Sequence, residues 1–188
     1  MNNLTKLFKS ILPLSGADEL LLEEHLKPEC FSKKESYNEL GRVCTKLGFV
    51  EEGIFKVSSF KVDGSEYIKY FVDSGHFLID LDSFFHKSPS TESIVALMDS
   101  KVLTINSRSY RILEDNIENF PKIIYHLKEK ALIAKFSLKN EMLVDDAVTR
   151  YHKFVKRHPA INQKVSQRHI AMHLGISEYT LSRIRAQK

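Results

Sequence analysis

The spacing of apolar residues changes character twice along the chain. Over residues 1–27 it is helical, in two stretches, the second being "ADELLLEEHL". Ser15 precedes that stretch, with Asp18 three residues on, in the manner of a capping box. From about Pro28 to Ile105, short runs rich in Val, Ile, Phe and Tyr are separated by turn signals at residues 40–41, 51–53, 63–64 and 74–75. "IFKVSSFKV" and "SEYIKYFV" flank Asp63-Gly64 closely enough to form a hairpin with a primed turn. Repeated short strands of this kind predict a jelly-roll β-barrel or sandwich.

From about Phe120 the helical period returns. Phe120, Ile124, Leu127, Ala131, Ala134 and Leu138 follow one another at intervals of 4-3-4-3-4, a coiled-coil seam of about three heptads. Ile123, Leu132, Ile133 and Phe136 make the same helix apolar on further faces, so it needs more than one surface to pack on. The expectation is that the seam meets a second copy, with Ala131 and Ala134 permitting close approach, and that another face meets the sheet body. A further helix from about Val144 to Arg157 ends at His158-Pro159, because proline cannot continue a helix. The chain thus reads as α+β in three parts: a jelly-roll effector domain with N-terminal helices (1–118), a dimerisation helix (119–140) and an all-α domain (141–188).

The last segment, "VSQRHIAMHLGISEYTLSRIRAQK", has the pattern of a helix–turn–helix. Gln167 opens it. Ala171 is the small residue where two helices cross, and Gly175 supplies a turn position free to adopt positive φ. Ile170, Leu174, Ile176, Leu181 and Ile184 form a shared miniature core. Ser177 is a suitable N-cap for the second helix. That leaves Glu178, Tyr179, Ser182, Arg183 and Arg185 facing outward on a helix sized for the major groove. Arg183 can donate twice to guanine, Glu178 can accept from cytosine, and Ser177, Thr180 and Ser182 can reach bases or phosphates. Ser166 at the start of the first helix, with Lys164, Gln167 and Arg168, offers a phosphate contact. A helical hairpin with no nucleic-acid role is the competing reading.

Charge supports the same end of the molecule. The net charge of +4 divides into about +7 over residues 151–188 and about −3 over the rest. A mildly acidic body with a basic end suits a polyanion met end-on, here double-stranded DNA. Only two cysteines are present, Cys30 and Cys44, so there is neither a disulfide framework nor a four-thiol metal site. No apolar run approaches the ~20 residues that cross a bilayer, and the N-terminus reads as a helix rather than a signal peptide. A reduced cytoplasmic setting without membrane contact follows. His169 and His173 stand four apart on one helix but lack further ligands, and are expected on its surface. Without a His-x-His motif, nothing suggests a metal or an enzyme active site, and no cofactor is implied.

In the order of its parts and in the tail "IAMHLGISEYTLSRIR", the chain resembles the Crp/Fnr superfamily of bacterial transcription regulators. It is most similar to the short-tailed variety common among Bacteroidetes. "GRVCTKLGFVEEGIFKV" and "YFVDSGHFLIDLDSFF" resemble the sensor domain. The resemblance implies a cyclic-nucleotide-binding-like effector domain, a homodimer on a near-palindromic operator, RNA polymerase as a further partner, and an effector of unknown identity. It places the effector pocket near Phe77, Asp80, Leu81, Ser90 and Thr91. Two departures follow. Nucleotide-binding members hold the phosphate with a Gly-Glu pair and a downstream arginine. Here "GHFLIDLDSFFHKSPSTESIVAL", residues 75–97, has Asp80 near the Glu position, adds Asp82 and Glu92, and contains no arginine. Tight binding of cyclic AMP is therefore not expected. Where the family often has Arg-Glu after the cap serine, this chain has Glu178-Tyr179, so its operator should differ, while Arg183 matches the later base-contacting arginine. Only Ala186-Gln187-Lys188 follow the second helix, so the β wing of many relatives is not expected. The competing function is a small-molecule sensor or interaction protein whose tail does not bind DNA.

Overall fold

The computed structural model describes residues 2–186. Two N-terminal helices, α1 (Asn3–Ile11) and α2 (Gly16–His25), precede the sheets. The Ser15–Asp18 capping box is formed in both directions at the start of α2. Eight strands then make two antiparallel sheets. They are β1 (Lys27–Phe31), β2 (Ser36–Asn38), β3 (Lys46–Glu52), β4 (Ile54–Phe60), β5 (Glu66–Asp73), β6 (Phe77–Leu78), β7 (Ser93–Ala96) and β8 (Ser100–Asn106). The strand orders are β1-β8-β3-β6 and β2-β7-β4-β5, a jelly-roll sandwich. Phe31, Val50, Phe55, Val57, Leu78, Ile94 and Val102 are sealed between the sheets.

The β4–β5 hairpin corrects one expectation. Gly64 alone takes positive φ, at 80°. The Gly64 amide donates to Lys61 O, and Asp63 Oδ1 accepts from the Ser65 amide and hydroxyl. The connection is a longer loop closed by one left-handed glycine, not a two-residue primed turn, which would need positive φ at both centres.

Helical elements complete the chain: α3 (Leu81–His86) between β6 and β7, α4 (Ser107–Asn116), α5 (Phe120–Val144), α6 (Ala147–Arg157), α7 (Pro159–Lys164), α8 (Gln167–Leu174) and α9 (Glu178–Ala186). The side chains of α1, α2, α4 and the start of α5 cover the outer face of the first sheet. Those of α6 to α9 share a core with Ile54, Ile68 and Phe71 on the outer face of the second. No helix is long and apolar enough to cross a membrane.

Helix α5 departs from expectation at the start of the predicted seam. Phe120 and Ile124 are buried in the body, Phe120 edge-on to Phe8 (5.9 Å) and Tyr110 (5.4 Å), and Leu127 packs partly on the same cluster. Phe120 and Ile124 are therefore unable to meet a second copy. The reason is α4: it was not legible as a helix, and with α1 it consumes that face. Ala131 and Ala134 are exposed and Leu138 is half-buried. The large apolar residues that stay in solvent lie on the other side of the helix, at Tyr125, Leu132, Phe136 and Leu143, intervals of 7-4-7 with Ile133 alongside. Helix α5 also runs on to Val144. The next helix begins only at Ala147, where the Asp146 carboxylate caps it through the Thr149 amide.

Candidate nucleic-acid interface and effector cradle

The helix pair α8–α9 is assembled as its pattern requires. The Ser166 hydroxyl caps α8 through the His169 amide, and Ser177 caps α9 through the Thr180 amide at 3.0 Å. Gly175 closes α8 in the left-handed conformation, φ 67°, its N–H bonding Ala171 O. Ala171, Ile170, Leu174, Leu181 and Ile184 are buried, with Ile176 half-buried beside them.

This packing leaves Glu178, Tyr179, Ser182 and Arg183 exposed along α9, with the Arg183 guanidinium resting 5.9 Å from the Tyr179 ring centre. Lys164, Ser166, Gln167 and Arg168 are exposed at the opening of α8. Ser177 and Thr180 hydrogen-bond each other (2.8 Å) as well as making the cap, so their hydroxyls are already engaged. Beside α8 a cleft of about 430 Å³ separates Arg168, Met172 and Glu178 from Ser65 and Glu66 of the β4–β5 hairpin.

Arg185 is placed otherwise. Its Nε donates to Tyr151 Oη (3.0 Å) and its Nη2 to Asn162 Oδ1 (2.6 Å), tying the end of α9 to α6 and α7. It points into the head, not toward a groove. Lys153 and Arg157 are likewise engaged, with Asp145 and Glu141 at the α5–α6 elbow. Lys164 at the end of α7, Arg168 on α8 and Arg183 on α9 make no ion pair among the described residues and are exposed, so their charge is free to meet a polyanion.

His173, expected on the surface, is buried at 5% exposure. Its ring lies edge-on to Phe71 (5.3 Å) and against Phe154 (5.5 Å), and Nδ1 is 3.3 Å from Ile68 O. A carbonyl only accepts, so Nδ1 carries the proton. Burial pushes this imidazole down to about 4, with His158 and Arg157 acting in the same direction. The helical period alone could not reveal this, because α8 is packed on two sides: Ile170 and Leu174 serve the head, and His173 serves β5.

In the β-sandwich the structure joins Asp80 to Ser90. Asp80 is 8% exposed; its Oδ1 caps α3 through the Ser83 amide (3.2 Å) and its Oδ2 accepts the Ser90 hydroxyl (2.6 Å). Phe77 turns the other way, its ring tilted against Phe49 in the helix-covered core, and Leu81 and Thr91 are exposed. Four residues belong to this cradle that pattern alone did not single out as its lining. Lys69 pairs with Glu92 Oε1 (3.1 Å), while Glu92 Oε2 is buried without a partner among the described residues. Tyr70 lies under Lys135 of α5, 4.7 Å from its ring, and burial, with Glu92 and Asp80 nearby, pushes its phenol well up. The cradle is thus rich in carboxylates, and Lys69, the cation it holds closest, is already paired.

The double sheet carries a short capped helix between β6 and β7. Residues 29–115 match the family described as cyclic nucleotide-binding domain. Across most of its length the chain shares its fold with solved structures, among them proteins described as regulators. FixK2 from Bradyrhizobium japonicum is 15% identical, with 86% of this chain and 83% of that one covered at a TM-score of 0.74. A putative regulator of the crp/fnr family from Eubacterium rectale is 18% identical, covering 91% and 82% at 0.71. The c-di-GMP responsive global regulator CLP from Xanthomonas campestris is 14% identical, covering 92% and 91% at 0.69. No curated protein matches the sequence.

Proposed function

We propose that this chain is a sequence-specific DNA-binding transcription regulator of the Crp/Fnr type, acting as a homodimer on a near-palindromic operator. The observation that carries the reading is α9: its apolar positions are buried against α8, and its outward face presents Glu178, Tyr179, Ser182 and Arg183 unobstructed. Arg183 is the principal base reader, its two-pronged guanidinium suited to guanine O6 and N7. Lys164, Ser166, Gln167 and Arg168 hold flanking phosphate. Arg185 contributes by fixing the pitch of α9 rather than by touching DNA.

The dimer forms through α5 along Tyr125, Leu132, Phe136 and Leu143, not along the face that carries Ala131, Ala134 and Leu138. Burying such a stripe removes four large apolar side chains from water, each worth about 1–2 kcal/mol from its exposed part. The two α9 helices then enter successive major grooves about 34 Å apart.

The effector domain keeps the fold but not the phosphate chemistry. A buried phosphodiester would meet the carboxylates of Asp80 and Glu92 with no arginine from residues 75–97 to hold it. The protein therefore does not bind cyclic AMP tightly. Selection of bound duplexes from random double-stranded DNA tests the function. Enrichment of an inverted repeat with half-sites one helical turn apart is the expected result, and recovery of unenriched sequence would remove the reading.

A further inference from the structure

Among the described residues, one hydrogen bond joins residues 147–186 to the effector sheets: His173 Nδ1 to Ile68 O. Apolar packing surrounds it, with Phe71 against Phe154 (6.1 Å) and against His173, and Ile54 and Ile68 sharing the head's core, while His158 stands near Asp73 and His76, and His169 near Lys56 and Glu66. Ile68 lies on β5, which stands at the edge of its sheet. An edge strand carries backbone groups with no strand to pair them, and a helix laid along it is one way to cover them. Here α8, the first helix of the reading pair, packs on β5. The head's other attachment is the elbow at residues 145–146, where the Lys153–Asp145 and Arg157–Glu141 pairs hold α6 to α5. These two attachments together set the direction of α9.

We infer that β5 is a dock for the reading head and that His173 is the positioning residue that latches it, so that operator binding is controlled through this contact. The inference rests on the DNA-reading role proposed above and assigns its regulation. The dock does not hide the reading face: Tyr179 is 72% exposed and Arg183 is exposed while α8 is seated. It fixes orientation. A near-palindrome demands that two heads present their helices at one separation and angle together, so freedom lost beforehand is freedom not lost on binding. A head released from β5 still reads one half-site but rarely meets both at once. Any effector or partner that displaces β5 moves α8 with it.

The test compares a selected operator with the same duplex carrying one scrambled half-site. His173→Phe keeps a ring in the Phe71–Phe154 pocket and removes the hydrogen bond. Phe71→Leu loosens the dock from the sheet side and leaves every head residue in place. Helical circular dichroism and the thermal transition report folding, and if His173→Phe loses its helical signal, Phe71→Leu decides. The expected outcome is a fall of about tenfold in full-operator affinity, with half-site affinity within about twofold of wild type. Full-operator affinity within about twofold of wild type overturns the inference. So does an equal fall on both duplexes in a folded variant, which would mean damage to the head itself. A wild-type protein that binds neither duplex is a different failure and removes the DNA reading.

Discussion

Acidification should weaken this protein well before its carboxylates titrate, and His173 should account for much of the effect. In the unfolded chain an imidazole takes up its proton near 6.5; in the folded protein burial holds His173 off until about 4. Between those values the unfolded state binds the extra proton, so stability falls as pH falls, and the loss levels off below about 4. At 1.36 kcal/mol per unit of displacement, the full loss is about 3 kcal/mol, of which about 2 kcal/mol is lost between pH 7.5 and pH 5. His158 and His169, also pushed down by burial, add in the same direction. His76 opposes them: Asp73 accepts its hydrogen bond and raises it, so that pair strengthens as the imidazole protonates. The assay is urea unfolding at several pH values from about 7.5 to about 5, on wild type and on His173→Phe, whose ring cannot titrate. The variant should lose about 2 kcal/mol of the pH dependence while keeping that of the other histidines. Parallel curves for the two proteins would refute the placement of His173 as a buried neutral group.

The remaining expectations concern separate parts of the molecule. Replacing both Leu132 and Phe136 by Glu should convert a dimer to a monomer in sedimentation, because each charge would face its twin across a desolvated seam; an unchanged dimer would place the contact elsewhere. Arg183→Ala should cost about 1–3 kcal/mol on the operator and little on scrambled DNA, and equal losses on both would demote it to a phosphate contact. Arg185→Ala should lower stability by about 1–3 kcal/mol through the bonds lost to Tyr151 and Asn162, with the base preference unchanged in repeat selection. Cyclic AMP should give no low-micromolar binding isotherm in calorimetry; one would show that the carboxylates of the cradle can be overcome.

What could be read from the chain, and what could not, follows from how many neighbours each segment has. The α8–α9 pair was legible because its demands are local: Ala171, Gly175 and Ser177 each answer a need set within a few residues. The pairing of β4 with β5 as a hairpin and the cap of α2 were legible for the same reason. Two residues of the expected α5 seam were misread because one period serves two purposes. Phe120 and Ile124 fit a heptad as well as a core, and only the presence of α1 and α4 decides between them. Arg185 and His173 were misread for a related reason: a residue on the outward arc of a short helix can still be covered by an element distant in sequence, α6 and α7 in one case and β5 in the other. The cradle was half legible. The missing arginine is a fact of the sequence, but the joining of Lys69 with Glu92 and of Tyr70 with Lys135 depends on strand register and on the path of α5.

The central claim is tested most directly by equilibrium titration of the purified protein against a selected duplex and its scrambled counterpart at two salt concentrations. The account predicts binding to the selected duplex at least about a thousandfold tighter. Affinity for both should fall steeply as salt rises, because Lys and Arg displace counterions from phosphate. Equal affinity for the two duplexes, or no binding to either at low salt, would contradict it.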